Sequence, residues 1–356
     1  MDSLIKSPKL FKNLFAGIGF FFIFGCAAQP FASPKAHHTQ NGFKNLYISD
    51  ENSFLDFLKW RWQRFFKDSP GPENYRFELV KNNPTFLHSR NDQATLTWIG
   101  HATVLLRLDG KNILTDPLFS QRTSPVQWAG PKRLVAPGVS MENLPPIHMV
   151  FISHDHYDAL DELSIMKLFE RPGGTDTVFF VPLGLKQWFN KRGITQVFEL
   201  DWWDNTQLDN FSITAVPVQH WSKRSLFSKN RTLWAGWMIE IPDFRFFFAG
   251  DSGYCPHFQQ IGEKFGKIDL AAIPIGAYEP RWFMAKYHIS PEESVKVHQD
   301  INAEKSVGIH WGTFILTDEP VDEPPQRLAE AVKKAGLDPE AFIVLKHGET
   351  LSLERP

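Results

Sequence analysis

The strongest constraint on this chain is the string MVFISHDHYD at residues 149–158. An apolar run ends in two histidines, His154 and His156, that are two residues apart, and Asp158 follows at the next alternate position. Alternate residues of an extended chain point to the same side, so both imidazoles can reach one divalent ion. Three further groups stand at the ends of other apolar runs: His220 after TAVPVQ, Asp251 after FRFFFAG and His310 after SVGI. A single histidine at such a place is an ordinary core residue. Six metal-type donors gathered at the ends of four apolar runs predict a metal centre.

Composition limits the alternatives. The chain has two cysteines, Cys26 and Cys255, so it carries neither a disulfide framework nor a cysteine-rich zinc module. Any metal is held by His and carboxylate. Lys and Arg number 38 against 40 Asp and Glu. No basic field is present, and nucleic acid is not an expected partner. The 32 Phe and 12 Trp supply a large core and leave open a lipid-facing surface.

The amino terminus reads as a targeting segment. Lys6, Lys9 and Lys12 precede an apolar run from Leu14 to Phe24 that is short for a membrane span. It ends in Gly25-Cys26-Ala27-Ala28, which resembles a bacterial lipobox with a bulky Phe24. The expectation is a signal over residues 1–26, with Cys26 lipidated; cleavage near Ala28 or an uncleaved anchor are the alternatives. Residues 27–45 read as a polar tether, with His37 and His38 solvated. Residues 46–93 read as a helical extension. Within it, FLDFLKWRWQRFF at 54–66 is apolar at helical spacing, and is either packed on its own domain or laid on a membrane.

From residue 94 to 356 one hydrolase domain is expected. TLTWIG, ATVLLRL and KNILTDP read as antiparallel strands, with Asp109-Gly110 as a turn. MVFISH, TVFFVP, TQVFEL, FSITAVPV, LAAIPIG and SVGIHWG are further strands. LWAGWMIEI and FRFFFAGD form a hairpin, and FIVLKHGE closes the chain as a strand. Helices are predicted over 161–170, 291–300 and 326–335. This α+β pattern runs through strands, then mixed units, and repeats, as two packed sheets with helices outside would require.

The strings TWIGHATVL, LTDPLFSQRTSP, ISHDHYDALD, QHWSKR, FFFAGDSGYCP, IHWGTF and LKHGE resemble the metallo-β-lactamase superfamily, near its N-acyl-phosphatidylethanolamine-hydrolysing phospholipases D. The resemblance, from about Thr95 to Glu349, implies a four-layer αβ/βα sandwich. It implies one zinc held by His154, His156 and His220, a second by Asp158 and His310, and Asp251 bridging both. The family pattern is H-x-H-x-D-H, and Ala159 occupies its last position. A methyl group cannot ligate, so the second Zn(2+) is expected to be weak or exchangeable, with His257 as a possible substitute donor.

The resemblance further implies phospholipase D chemistry. Metal-bound hydroxide, oriented by Asp251, attacks phosphorus and releases phosphatidate and an N-acylethanolamine. His288 and Tyr157 are candidates for proton transfer or phosphate contact, Lys223 and Arg224 for head-group attraction, and Arg281, Trp282 and Phe283 for an acyl groove. His101 and His347 read as structural. The expected partners are phospholipid and a membrane surface; a homodimer is compatible. The expected location is the bacterial outer membrane, facing the periplasm. A lactonase, a soluble phosphodiesterase or a non-catalytic lipoprotein are the competing readings.

Overall fold

The computed structural model describes residues 35–353, apart from 68–70, 72, 74, 83–86 and 88–92. The expected signal, Cys26 and the first part of the tether lie outside the described residues.

The first described elements are a short hairpin, β1 (His38–Thr39) with β2 (Gly42–Phe43), and helix α1 (Phe54–Phe65). Ser53 caps α1, and Asp56 returns the bond in a capping box. The first large sheet contains β3 (Thr95–Gly100), β4 (Thr103–Leu108), β5 (Lys111–Thr115), β6 (Met149–Phe151), β7 (Val178–Pro182) and β8 (Val197–Leu200). Helices α2 (Glu162–Glu170) and α3 (Lys186–Asn190) fall between its strands. The second sheet contains β9 (Asn205–Leu208), β10 (Phe211–Val216), β11 (Gly236–Ile241), β12 (Phe244–Phe248), β13 (Ile268–Pro274), β14 (Ala303–Ile309) and β15 (Phe342–Val344). Helices α4 (His257–Phe265), α5 (Arg281–Met284), α6 (Pro291–Asp300) and α7 (Pro324–Lys334) are interspersed, and β16 (Thr350–Ser352) returns to pair with β3 in the first sheet.

Each sheet has an antiparallel half and a parallel half. In the first, β3, β4 and β5 alternate, while β5 to β8 run parallel. In the second, β9 to β12 alternate, and β12 to β15 run parallel. Asp109 and Gly110 turn the β4–β5 hairpin with both φ positive, at 50° and 72°, the backbone that a two-residue hairpin loop needs. Between the sheets lies a core with Trp98, Trp234, Trp237 and Phe246 to Phe248, all fully buried. Each such side chain contributes about 1.5–3 kcal/mol by leaving water. A second cluster, including Ile152, Leu160, Ile165 and Phe179, packs α2 and α3 beneath the first sheet. The four-layer expectation holds.

Strand direction decides where the functional groups emerge. β3, β5 and β6 point the same way, because two antiparallel steps separate β3 from β5. By the same reasoning β10, β12 and β14 share one direction. The turns leaving β3 and β6 therefore occupy one edge of the first sheet, and those leaving β10, β12 and β14 occupy one edge of the second.

Two expectations need correction. FIVLKHGE does not close the chain as one strand: β15 ends at Val344, and β16 belongs to the other sheet. His37 and His38 are not solvated. Their Nε2 atoms lie 2.7 and 3.0 Å from the carboxylate of Asp201, which Lys35 also reaches at 3.0 Å. Phe43 inserts into the main core, so the described end of the tether is fastened to the hydrolase domain.

Candidate metal centre

His154 follows β6 and is buried. Its Nδ1 lies 2.8 Å from Ser153 Oγ, and that hydroxyl also contacts the buried carboxylate of Asp116. A hydroxyl has one proton. If it is given to Asp116, Nδ1–H of His154 is the donor to Oγ, and Nε2 keeps its lone pair for a cation. His220 is fixed more firmly. Its Nδ1 lies 3.0 Å from the carbonyl of Tyr287, which can only accept, so Nδ1 donates and Nε2 is free to ligate. His156 Nδ1 stands 3.2 Å from that Nε2. The donors of His154, His156 and His220 all lie within 4.8 Å of one another.

Asp251 sits beside this trio, with Oδ2 at 3.8 Å from His154 Nε2 and 3.9 Å from His220 Nε2. Its other oxygen faces His310 Nε2 at 3.1 Å. Asp251 thus stands between two donor groups, as a bridging carboxylate would. The approach depends on Gly250, whose φ is +59° and whose Cα would place a Cβ 2.5 Å from the Cβ of Ser153. No other residue type fits there without moving the strand end.

A second group forms on the far side of Asp251. His310 Nε2 is 3.7 Å from Asp158 Oδ2, and His101 Nε2 approaches the same oxygen at 3.2 Å. His101 reads as structural from sequence, yet it stands in the site. The β3–β4 turn places it there, and strand direction was the signal that could have found it. His288 also faces the centre: its donor lies within 4.8 Å of those of His220 and Asp251.

The electrostatics suit a cation. Burial pushes His154 down to about 3 and His288 down to about 4, and holds His220 well below its usual range. These rings are neutral near pH 7, which is the ligating form. Burial alone would raise Asp158 and Asp251, but the surrounding imidazoles hold both carboxyls well below the usual range. His310 goes the other way. Burial opposes its charge, yet Asp251 and Asp158 drive it up to about 10. The two carboxylates favour a positive charge between them. Nε2 of His154, Nε2 of His156 and both ring nitrogens of His310 are buried without a hydrogen bond among the described residues. Buried polar atoms seldom stay unpaired, and these donors fit a divalent metal.

Several weaker candidates fall elsewhere. Tyr157 donates its hydroxyl proton to the carbonyl of Arg224 at 2.9 Å, so it is already committed and not free to donate to a phosphate. Arg224 donates to the carbonyls of Asp155 and Leu160 and stacks on Tyr157; it braces the metal loop and does not present a charge to solvent. Lys223 engages through its backbone N–H, which bonds Asp155. His257 starts α4, bonds Gln260 and packs on Tyr47 and Trp202, and it supplies no substitute ligand. Arg281 is tied to Glu293 and to the carbonyl of His288. Phe283 stacks on Trp60 of α1, and Trp282 is partly exposed beside it. His347 bonds Thr313 and packs on Trp98, a structural role.

Comparison with known proteins agrees with this geometry. Residues 111–311 match the family described as β-lactamase superfamily domain. The chain is 42% identical over 265 residues to N-acyl-phosphatidylethanolamine-hydrolyzing phospholipase D 1 of Caenorhabditis elegans, covering 71% of this chain and 74% of that protein. Outer membrane protein RomA of Klebsiella pneumoniae is 37% identical over 105 residues, 29% of this chain and 76% of that one. Among solved structures, the metallo hydrolase Igni18 of Ignicoccus hospitalis superposes with a TM-score of 0.57 at 21% identity, over 74% of this chain and 99% of that one. The chain belongs to the metallo-β-lactamase superfamily of metal-dependent hydrolases, in the group of the N-acyl-phosphatidylethanolamine-hydrolysing phospholipases D.

Proposed function

We propose that the protein is a zinc-dependent phosphodiesterase that cleaves N-acyl-phosphatidylethanolamine-type phospholipids to phosphatidate and N-acylethanolamine. The observation that carries this reading is the 42% identity to the Caenorhabditis elegans phospholipase, joined to a buried His and Asp centre with donors facing one point. A zinc ion held there by His154, His156 and His220 would acidify a bound water toward neutrality. Asp251 lies between the two donor groups, where its carboxylate would accept a hydrogen bond from such a water. His288 is neutral near pH 7 and faces the centre, where it can accept a proton. In the overall reaction, water's oxygen bonds to phosphorus, the bond to the head-group oxygen breaks, and that oxygen leaves with a proton.

A lipid surface as partner is supported by α1. Trp60 is buried, bonding Asp318 and stacking on Phe283, while Leu55, Trp62 and Phe65 are 74%, 69% and 79% exposed. Phe54, Leu58, Phe66 and Trp282 extend the exposed apolar face, and Lys59 and Arg61 are exposed among them. The helix has one acid, Asp56, and Ser53 engages it. This combination of aromatic and basic side chains complements an anionic bilayer. Leu226 and Phe227 are also exposed; Lys229 of their loop pairs with Glu51 in the segment before α1. No helix of the described residues is long and apolar enough to cross a membrane. The reading places the protein in the cell envelope through its basic and apolar leader and Cys26, in keeping with its likeness to an outer membrane protein.

The test is product analysis by mass spectrometry with zinc-loaded protein, offering N-acyl-phosphatidylethanolamine, phosphatidylethanolamine and a water-soluble diester. Phosphatidate and N-acylethanolamine from the first are expected. Cleavage of the soluble diester alone contradicts the lipid assignment.

A further inference from the structure

We infer that His101 replaces the metal ligand missing at Ala159, so that a second ion is held by His101, Asp158, His310 and Asp251. This rests on the reading of the site as a metal centre and is independent of the substrate.

The gap at position 159 is real. Ala159 is buried directly after Asp158, and its N–H turns back toward the carbonyl of His156. His101 reaches the neighbouring Asp158 from the turn between β3 and β4. Its Nε2 is 3.2 Å from Asp158 Oδ2, and its ring centroid is 3.9 Å from that of His310. The donor atoms of His101, Asp158 and His310 all lie within 4.8 Å of one another. Bonds of about 2.0–2.2 Å in a tetrahedral zinc site put neighbouring donors roughly 3.3–3.6 Å apart. The spacings here, 3.2 Å for His101 to Asp158, 3.7 Å for His310 to Asp158 and 3.1 Å for His310 to Asp251, bracket that range.

The backbone holds His101 in place. Its φ is +54°, a conformation that residues with a side chain seldom adopt and that persists where surroundings impose it. The β3–β4 register shifts between Trp98 and Gly100, immediately before it. A bulge of this kind re-aims the side chain that follows. Three hydrogen bonds then lock the residue. Its N–H donates to Thr313 Oγ1 at 2.8 Å, and its carbonyl accepts from Trp98 Nε1 and from the His310 N–H, both at 2.9 Å. The last bond couples the two histidines directly, so both imidazoles are presented as one rigid pair. His101 is also buried.

The competing role for His101 is to donate Nε2–H to Asp158 and orient that carboxylate without touching the ion. The two roles differ in what is bonded to the metal. The experiment loads full-length protein with cadmium-113 and records nitrogen-15 spectra of its histidines. A cadmium–nitrogen coupling on a ring nitrogen that disappears in His101→Ala is expected, with two ions bound per parent chain and one per variant. His101→Ala combined with Ala159→His should recover the second ion. Two ions per parent chain with no coupling at His101 overturns the inference, and so does a His101→Ala protein that keeps both ions at parental affinity. The spectrum of the parent decides the matter even where the variant does not fold. A parent that binds cadmium yet, when loaded with zinc, leaves lipid intact refutes the substrate reading alone; a parent that binds none overturns the metal reading and this inference together.

Discussion

Ser153→Ala isolates the support behind the first donor group. The hydroxyl joins His154 Nδ1 at 2.8 Å to the carboxylate of Asp116, and the Ser153 N–H donates to the same carboxylate at 2.7 Å. With the hydroxyl proton given to Asp116, removing Oγ leaves the Nδ1–H of His154 without an acceptor and takes one donor from a buried carboxyl. The lost partner of a buried polar group costs about 1–3 kcal/mol of stability. Loss of the group that sets a ligand's tautomer typically weakens metal binding by about 10–100-fold. The backbone N–H still reaches Asp116, so the loop remains anchored and the first ion still binds. The assay is zinc titration of metal-free protein against a competing chelator, with thermal unfolding run in parallel. The expected result is a Kd raised by about tenfold or more, with a fall in Tm. A Kd within threefold of the parent refutes the view that Ser153 and Asp116 orient His154.

Three other outcomes follow from the same geometry. Gly250→Ala should lower Tm by several degrees or abolish soluble expression, since the new Cβ would meet Ser153 at 2.5 Å with φ at +59°; an unchanged Tm contradicts this. For metal-free protein, His310 is raised above its ordinary value to about 10 by Asp251 and Asp158, so its contribution to stability is full below about pH 6.5 and is lost as pH rises through 10. Urea midpoints at the two ends of that window should differ more for the parent than for His310→Gln, and an equal difference rules out the charge balance described. Trp62→Glu with Phe65→Glu should weaken binding to anionic vesicles at least tenfold, since burying each aromatic contributes about 1.5–3 kcal/mol. Hydrolysis of a soluble diester should be unchanged. Undiminished vesicle binding, or a concentration-dependent dimer that the substitutions dissolve, counts against the bilayer as the occupant of α1.

Much of the fold was legible because its signals are local. Asp109-Gly110 between alternating apolar runs needs nothing distant to specify a hairpin, and MVF at 149–151 is apolar enough to be a central strand anywhere. His154, His156, His220, Asp251 and His310 were visible as polar groups at the ends of such runs. His101 was not, because its meaning depends on sheet direction: only when β3 and β6 run the same way does its turn reach Asp158. His37 and His38 were missed for a related reason. Their neighbourhood is polar and lacks a period, yet Asp201, which orders them, is more than 160 positions away. The final strand, β16, is three residues long, too short for periodicity to distinguish from a loop.

The measurement closest to the central claim is zinc titration into metal-free, full-length protein while phosphatidate release from N-acyl-phosphatidylethanolamine vesicles is followed. The account predicts that phosphatidate and N-acylethanolamine appear together and in step with metal occupancy of the His154, His156 and His220 site. Fully loaded protein that leaves the phospholipid intact, or that releases diacylglycerol or free fatty acid in place of phosphatidate, would contradict it.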